Sequence, residues 1–572
     1  MKTSFTSLFT SLFLISSLSA FSQQVTIDAT KHLQTIEGFG ASDAWSTEVL
    51  KTFSESKQNT AAKWLFKSDL KSNKSVDGIG LSIWRFALGP FGNMPAGSST
   101  IPQDYLDEKG SYVWDINPGK QLFLDKAKQY GCDQFGAWSA CILPQLRPNG
   151  LDNEAFKNYG NFLADILSYY RENDVVFKYI APVNEPQYTW VDGIKWTTSN
   201  ISKMTRAVCD ALAEKGDTTP VMLGECADWT NLYDTFDNNN HWARNQVNAY
   251  FEPLSVNYLG DLPNLMHELG VHSYWTDQDS TRLSSMRTLA KKSADKKNLK
   301  LHQTEWSLLS NPPIEGLPET NATDMDIALI TSKVIHCDLH YAGVNSWCYW
   351  EAFGSGKESH FHLIQTDELN KTVKARKNLW VLGNYSLFIR PGYKRIEMTN
   401  SSNLNSLMAT SYISPDNETL VSVYTNISYS KIDLNPVLKL PEGYSINKIR
   451  KYQTSSLYDL QLFPASIDSD ISIPARSVVT LVYELNQPTS LESSKDESYN
   501  INYTITNNDF INIQISSLGS SAVYLYSPNG VLMHSEKFID QSNITLPSNI
   551  NKGIYFLKIE NSKKNIVGRI AL

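Results

Sequence analysis

The sequence predicts an α/β fold: a (β/α)8 barrel of the TIM type with an attached β-sandwich and a small C-terminal all-β domain. Three observations predict it. From residue 36 to about 353, short apolar runs alternate with helical patterns, the signature of βαβ units around a parallel sheet. After Trp380 the texture changes to short alternating strands separated by Asn, Pro, Asp and Gly, as in an antiparallel sandwich. With 572 residues the chain also exceeds what one hydrophobic core holds, since cores stop growing at about 250–300 residues.

The elements follow in order. Residues 1–22 read as a signal peptide, with Lys2 as a positive n-region, an apolar stretch from Leu8 to Leu18, and Ala20-Phe-Ser22 as a small-x-small cleavage pattern. Residues 23–35 contribute an edge strand, at 25–27, to the sandwich. The barrel is expected over 36–385, with eight strands at 35–41, 80–88, 134–143, 177–183, 221–225, 269–273, 301–305 and 344–350. Between them lie helical patterns such as 154–172, where Phe156, Tyr159, Phe162, Leu163, Ile166, Leu167 and Tyr170 recur at helical spacing. A doubly wound sheet is the alternative, but no Gly-rich phosphate loop opens any of these helices. The sandwich is expected over 386–487, with strands near 393–398, 406–413, 419–425, 446–452 and 478–483. A polar linker spans 488–500, and a separate all-β unit occupies 501–572. In that last unit Tyr524, Tyr526, Tyr555 and Phe556 are read as core.

Composition narrows the function. The net charge of −8 argues against nucleic acid as a partner, because phosphate binding needs a basic surface. No run approaches the ~20 apolar residues of a membrane span. Six cysteines without a CxxC pair give little support to zinc or redox chemistry; buried thiols, with room for one bridge, are expected. The 14 Trp and 28 Tyr suit sugar rings, whose C–H faces are apolar and whose rims are polar, although large β-rich proteins also bury many aromatics.

Glycoside hydrolysis needs two carboxyl groups flanking the scissile bond. In a barrel such acids belong at the C-terminal strand ends. The fourth strand ends in Asn184-Glu185-Pro186 and the seventh in Thr304-Glu305-Trp306, so both acids face one mouth. Taken alone, a strand-end Glu is usually a surface or cap residue, and the pairing is what raises the catalytic reading. Asp43, Glu225 and Glu351 are competing strand-end acids without such a companion. His336 and His340 have metal-ligand spacing but no third ligand, His360 and His362 sit in a loop after strand eight, and Ser42 lacks a nucleophile elbow.

These motifs make the chain recognisable. Ile36-Glu-Gly-Phe-Gly-Ala-Ser42, Leu81-Ser-Ile-Trp-Arg85, Val183-Asn-Glu-Pro186, Thr304-Glu-Trp306 and Phe388-Ile-Arg-Pro-Gly392 resemble glycoside hydrolase family 30 over nearly all of residues 25–485. The resemblance implies a retaining hydrolase with Glu185 as acid/base and Glu305 as nucleophile, needing no cofactor and no metal. It implies substrate-site roles for Arg85 and Asn184. By strand position, Tyr274 is expected to bond the nucleophile and Trp350 to floor the sugar, with core packing the alternative for Trp350. Asp43 and Trp45, in the opening run Gly38-Phe-Gly-Ala-Ser-Asp-Ala-Trp45, are further substrate-binding candidates. Tyr526-Ser-Pro-Asn-Gly530, Leu546-Pro, Lys552-Gly-Ile-Tyr555 and the closing Val567-Gly-Arg569 resemble a type IX secretion sorting domain, with an immunoglobulin-like accessory domain as the alternative.

The resulting expectation is a secreted or surface monomer, exported through the periplasm by the type IX machinery, that cleaves a β-linked oligo- or polysaccharide of plant or microbial origin. An endo-β-1,6-galactanase-like activity is the leading expectation. Xylanase, β-1,6-glucanase and β-fucosidase or β-glucosidase activities are alternatives on the same fold. A non-catalytic surface glycan-binding protein is the rival from another class, and retention of both glutamates and Asn184 argues against it.

Overall fold

Eight apolar runs too short for helices and buried on both faces have one good solution, a closed parallel sheet wrapped by helices. The computed structural model has that form. It describes residues 23–44, 47–89, 104–140, 142–189, 194–235, 242–310, 313–355, 362–466, 471–487, 500–506, 510–528, 530–546, 554–561 and 564–571. Strand β1 is Gln23–Thr35, and the barrel strands are β2 (Gly38–Ser42), β3 (Ile83–Ala87), β4 (Gln134–Trp138), β5 (Phe177–Ala181), β6 (Val221–Cys226), β7 (Leu265–His272), β8 (Lys300–Glu305) and β9 (Ser346–Tyr349). These last eight form a closed barrel in chain order, sealed by the parallel pairing of Gly38 with Ser346 and Phe39 with Trp347.

The helices earn their places locally. Asp152 accepts a hydrogen bond from the Ala155 backbone to start the helix Asn153–Glu172, whose apolar side is buried as its spacing predicts. Gly160 lets the helix Thr198–Glu214 approach, since a Cβ there would lie 2.6 Å from the Ala207 carbonyl oxygen. Thr323 and Asp326 form a reciprocal capping box on the helix Asp324–Cys337.

The attached sandwich is one continuous sheet of nine strands, in the order Gln461–Phe463, Ser445–Thr454, Ser477–Asn486, Thr419–Asn426, Leu407–Ile413, Lys394–Met398, β1, Ile432–Lys439, Ile471–Ile473. Ile449, near one end of this order, and Leu434 and Ile473, at the other, share one apolar cluster, so the sheet rolls over on itself. Its outer face packs on the barrel through Asp324–Cys337 and the helix Lys377–Ser386, where Ser332 meets Thr425 at 2.6 Å and Thr480 donates to the Asn384 carbonyl at 2.8 Å. The expectation of an edge strand at 25–27 is corrected. β1 lies inside the sheet, antiparallel to Lys394–Met398 and parallel to Ile432–Lys439, because its 13 residues, irregular at Asp28 and His32, present two bonding edges.

The C-terminal unit is a five-stranded sheet over residues 500–571. The core reading of its aromatics holds for Tyr555 alone. Strand alternation turns Val523, Leu525, Leu557 and Ile559 inward, which leaves Tyr524 and Tyr526 half-buried and Phe556 exposed. Among the described residues five cysteines are buried free thiols; Cys141, the segment 1–22 and the linker positions 488–499 lie outside those residues.

Candidate active site

The barrel axis at the C-terminal strand ends is occupied by a network of buried charge. Arg85, on β3, is fully buried and donates from Nη1 to Glu305 Oε2 at 2.7 Å and from Nη2 to Glu225 Oε2 at 2.7 Å. Nη2 also reaches Asn184 Oδ1 at 3.2 Å. A planar fork with several donors is what allows one side chain to fix three acceptors on three strand ends. Trp138, at the end of β4, lies under the guanidinium with its ring centre 4.4 Å away.

Glu305 ends β8 and accepts a second hydrogen bond, from the Tyr274 hydroxyl at 2.9 Å. Glu185 lies four residues beyond the end of β5, in the turn that Pro186 continues. Its φ of 42° and the 44° of Glu225 are left-handed values that cost a non-glycine residue about 1–3 kcal/mol each. The Glu185 backbone N–H donates to the Glu225 carbonyl at 2.7 Å and helps hold that turn. His272, the last residue of β7, bridges the acids, with Nδ1 2.8 Å from Glu185 Oε1 and Nε2 3.0 Å from Glu225 Oε2. One oxygen each of Glu185 and Glu305 and a ring nitrogen of His272 lie within 4.8 Å of one another.

The environments of these groups differ. Burial raises the Glu185 carboxyl, and the negative charge of Glu305 adds to this against the pull of His272 and Arg85. Burial would likewise raise Glu225, but Arg85 and His272 outweigh it and hold the carboxyl down at about 2. For His272 burial favours the neutral ring, yet Glu305, Glu185 and Glu225 together push it up to about 9, which makes it an imidazolium at neutral pH. Glu185, His272 and Glu305 have the spacing of cation ligands. Arg85 and the protonated His272 already place positive charge among them. A second such group, Glu37, Glu268 and His302, is bridged by Lys300, whose Nζ lies 2.8 Å from both acids.

The sequence-derived candidates sort as follows. Glu185, Glu305, Asn184, Arg85 and Tyr274 are brought together. Trp350 stands beside them, half-buried and edge-on to Trp138 at 6.0 Å, whereas Trp347 and Tyr349 are fully buried in the wall. Asp43 makes no side-chain hydrogen bond to the cluster, although its backbone N–H donates to the Arg85 carbonyl at 3.0 Å. It is 1% exposed, accepts from the Ala87 backbone at 2.9 Å through one oxygen and is paired with Lys120 through the other, so its side chain is held by the wall. Trp45 lies outside the described residues, as does His360. His336 and His340 stack on each other at 5.1 Å, and His362 lies 3.1 Å from Glu351.

His272 was missed by sequence reasoning, and Glu225 was noted only as a competing acid. A signal existed for both, since each falls at a barrel strand end. Gly270 marks the spot as well, because a Cβ there would lie 2.5 Å from Glu225 Oε1.

A closed parallel barrel with acids on the ends of its fourth and seventh strands is the framework of a (β/α)8 glycoside hydrolase. Comparison with known proteins makes the class specific: residues 22–358 match O-glycosyl hydrolase family 30, and the chain belongs to that family. Residues 506–572 match the secretion system C-terminal sorting domain, which marks the protein as secreted or displayed at the cell surface. An endo-β-1,6-galactanase of Hypocrea rufa is 24% identical over 208 residues, which is 30% of this chain; the match spans 43% of the length of that relative. A conserved exported protein from Bacteroides fragilis superimposes with a TM-score of 0.72 at 23% identity, covering 80% of this chain and 100% of the other. The catalytic domain of a family 30 xylanase C from Talaromyces cellulolyticus does so with a TM-score of 0.59 at 19% identity, covering 81% and 100%.

Proposed function

We propose that the protein is a retaining β-glycoside hydrolase acting on a plant or microbial polysaccharide, with Glu305 as nucleophile and Glu185 as acid/base. The observation that carries this is the separation of at most 4.8 Å between oxygens of Glu185 and Glu305 at one mouth. So close an approach of single oxygens is compatible with the ~5–5.5 Å between carboxyl groups in retaining enzymes and leaves little of the ~6.5–9.5 Å in which inverting ones seat a water.

In the first step Glu305 attacks the anomeric carbon as Glu185 gives its proton to the leaving oxygen, so the glycosidic bond breaks and a glycosyl ester forms. In the second, Glu185 takes a proton from water, whose oxygen displaces Glu305 and restores both groups. Arg85 and Tyr274 orient the nucleophile and spread its charge. His272 sits against the acid/base, and Trp350 with Trp138 walls the subsite.

The preferred substrate is a β-1,6-galactan, a reading supported by the partial likeness to the galactanase. Residues 1–22 act as a signal peptide and 488–500 as a linker in a monomer that passes through the periplasm and is exported by type IX machinery. Proton NMR of the first product from β-1,6-galactan, β-1,6-glucan and xylan tests the reading. Initial release of the β-anomer from one of them supports it, and initial release of the α-anomer sinks the double displacement.

A further inference from the structure

The outer wall of the barrel carries an aromatic concavity of about 340 Å³ that the catalytic cluster does not use. It lies between the loop leading to the helix Pro118–Gln129 and the C-terminal turns of Asn153–Glu172. The packed rings of Phe86, Tyr170 and Phe177 separate it from the barrel interior, Tyr170 meeting Phe86 at 5.3 Å and Phe177 at 5.4 Å.

The cavity has a built aromatic side. Trp114 stacks on Tyr169 at 4.3 Å with the planes 9° apart, and on Tyr112 at 4.7 Å with the planes 6° apart. Tyr112 is itself fixed by donating to Asp165 at 2.5 Å. Below them the Tyr105 and Tyr170 hydroxyls meet at 2.5 Å. Trp114 and Tyr169 stay half-buried, each still reaching the surface. The polar side comes from Asp115, Asn117, Gln121 and Asp125, of which both aspartates are exposed. Among the described residues no Lys or Arg lines the concavity, and the nearby Lys120 turns inward to Asp43.

Flat rings beside carboxylate and amide acceptors match the two surfaces of a sugar, its C–H face and its hydroxyl rim. Carboxylates without a cation repel uronic or sulfated sugars and suit neutral ones. We infer that this concavity is a second carbohydrate site, outside the catalytic cleft, that holds a neutral glycan chain while the cleft acts on it. The inference rests on the reading of the protein as a polysaccharide hydrolase. A chain held on the outer wall raises the local concentration of scissile bonds at the mouth without any new contact there.

Affinity electrophoresis of the full chain carrying Glu305→Gln, in gels containing β-1,6-galactan, β-1,6-glucan, xylan or polygalacturonate, tests it. The retardation expected with at least one neutral polymer weakens about tenfold in apparent affinity on adding Tyr169→Ala. The same loss is expected from the exposed pair Asp115→Ala and Asp125→Ala, which leaves the ring stack in place. With Glu305 restored, Tyr169→Ala hydrolyses an aryl β-glycoside within about twofold of the parent rate, since that probe reads the cleft alone. Retardation that survives both sets of substitutions, or that is strongest with polygalacturonate, overturns the second site. A parent chain that binds polymer through Tyr169 yet hydrolyses no glycoside would instead sink the catalytic reading and leave the second site standing.

Discussion

His272 Nδ1 lies 2.8 Å from Glu185 Oε1, so the acid at the barrel mouth shares its oxygen with an imidazole that is charged at neutral pH. The cation favours the ionised form of Glu185, while burial and Glu305 favour the protonated form. Replacing His272 with Asn removes the cation, so the Glu185 pKa rises further. With Glu185 in its proposed role as acid/base, the basic limb of kcat/KM against pH follows loss of its proton and moves to higher pH. We expect kcat to fall by roughly 10- to 100-fold as well, since the carboxyl also loses its orientation. A basic limb that does not move would show that His272 has no electrostatic hold on the acid.

The same histidine links stability to pH. Its folded-state value of about 9 lies above the ordinary 6.5, so its contribution is fully present below pH 6.5 and is lost as pH rises through 9. Glu225, held at about 2 against an ordinary 4.5, contributes fully above pH 4.5 and loses that contribution as pH falls through 2. Thermal unfolding across pH 5–10 is expected to show a decline in Tm above about pH 6.5 that is shallower in His272→Asn. Parallel curves for the two proteins would contradict the linkage.

Arg85→Lys tests the fork. An ammonium reaches one or two acceptors, whereas Arg85 bonds Glu305, Glu225 and Asn184 together. A buried carboxylate left without its partner costs about 3–5 kcal/mol. We expect lower stability by that order and a loss of about 100-fold in kcat/KM, read by denaturant melts and aryl glycoside hydrolysis. Near-normal values in both would mean the bonds to Arg85 carry little.

Much of this site was legible because barrel geometry converts strand position into spatial position. Glu185 and Glu305 are 120 residues apart, yet Glu305 ends its strand and Glu185 follows the end of its own by four residues, and closure of the sheet brings such ends to one mouth. What strand position does not give is which side of the wall a residue faces. Asp43 follows β2 as a catalytic acid would, but its side chain turns to Lys120 and the Ala87 backbone. His272 does end a barrel strand, but only its pairing with Glu185, two strands away, distinguishes it from the other strand-end residues. The inner place of β1 was hidden because it depends on pairing with strands some 360 to 410 residues away.

The Asp43–Lys120 pair yields its own test. Burial pushes the Asp43 carboxyl up and the Lys120 ammonium down, so breaking the pair strands a poorly solvated group. Asp43→Ala is expected to cost about 3–5 kcal/mol, and Asp43→Ala with Lys120→Met less than the sum of the single changes. KM of Asp43→Asn for an aryl glycoside should stay within about twofold of the parent, since both its oxygens are bonded to Ala87 and Lys120 in the wall. A tenfold rise in KM with unchanged Tm would restore Asp43 as a substrate contact.

The last prediction concerns the sorting domain. The final strand of the rolled sheet, Ser477–Asn486, pairs with both Thr419–Asn426 and Ser445–Thr454, so a chain ending at Gln487 keeps every strand of that sheet. The match to the sorting domain begins only at residue 506, after the polar stretch. Removing 488–572 should therefore leave barrel, sheet and carboxylate cluster intact. Specific activity on an aryl β-glycoside is expected within about twofold of the full chain, because the cleft's residues all precede the cut. In the native host the shortened protein should collect in the periplasm, while the full chain reaches the surface or the medium. The two readouts are independent: fractionation follows export and the aryl glycoside follows the cleft. Shortened protein that is exported normally but has lost its activity would recast residues 488–572 as part of the catalytic unit.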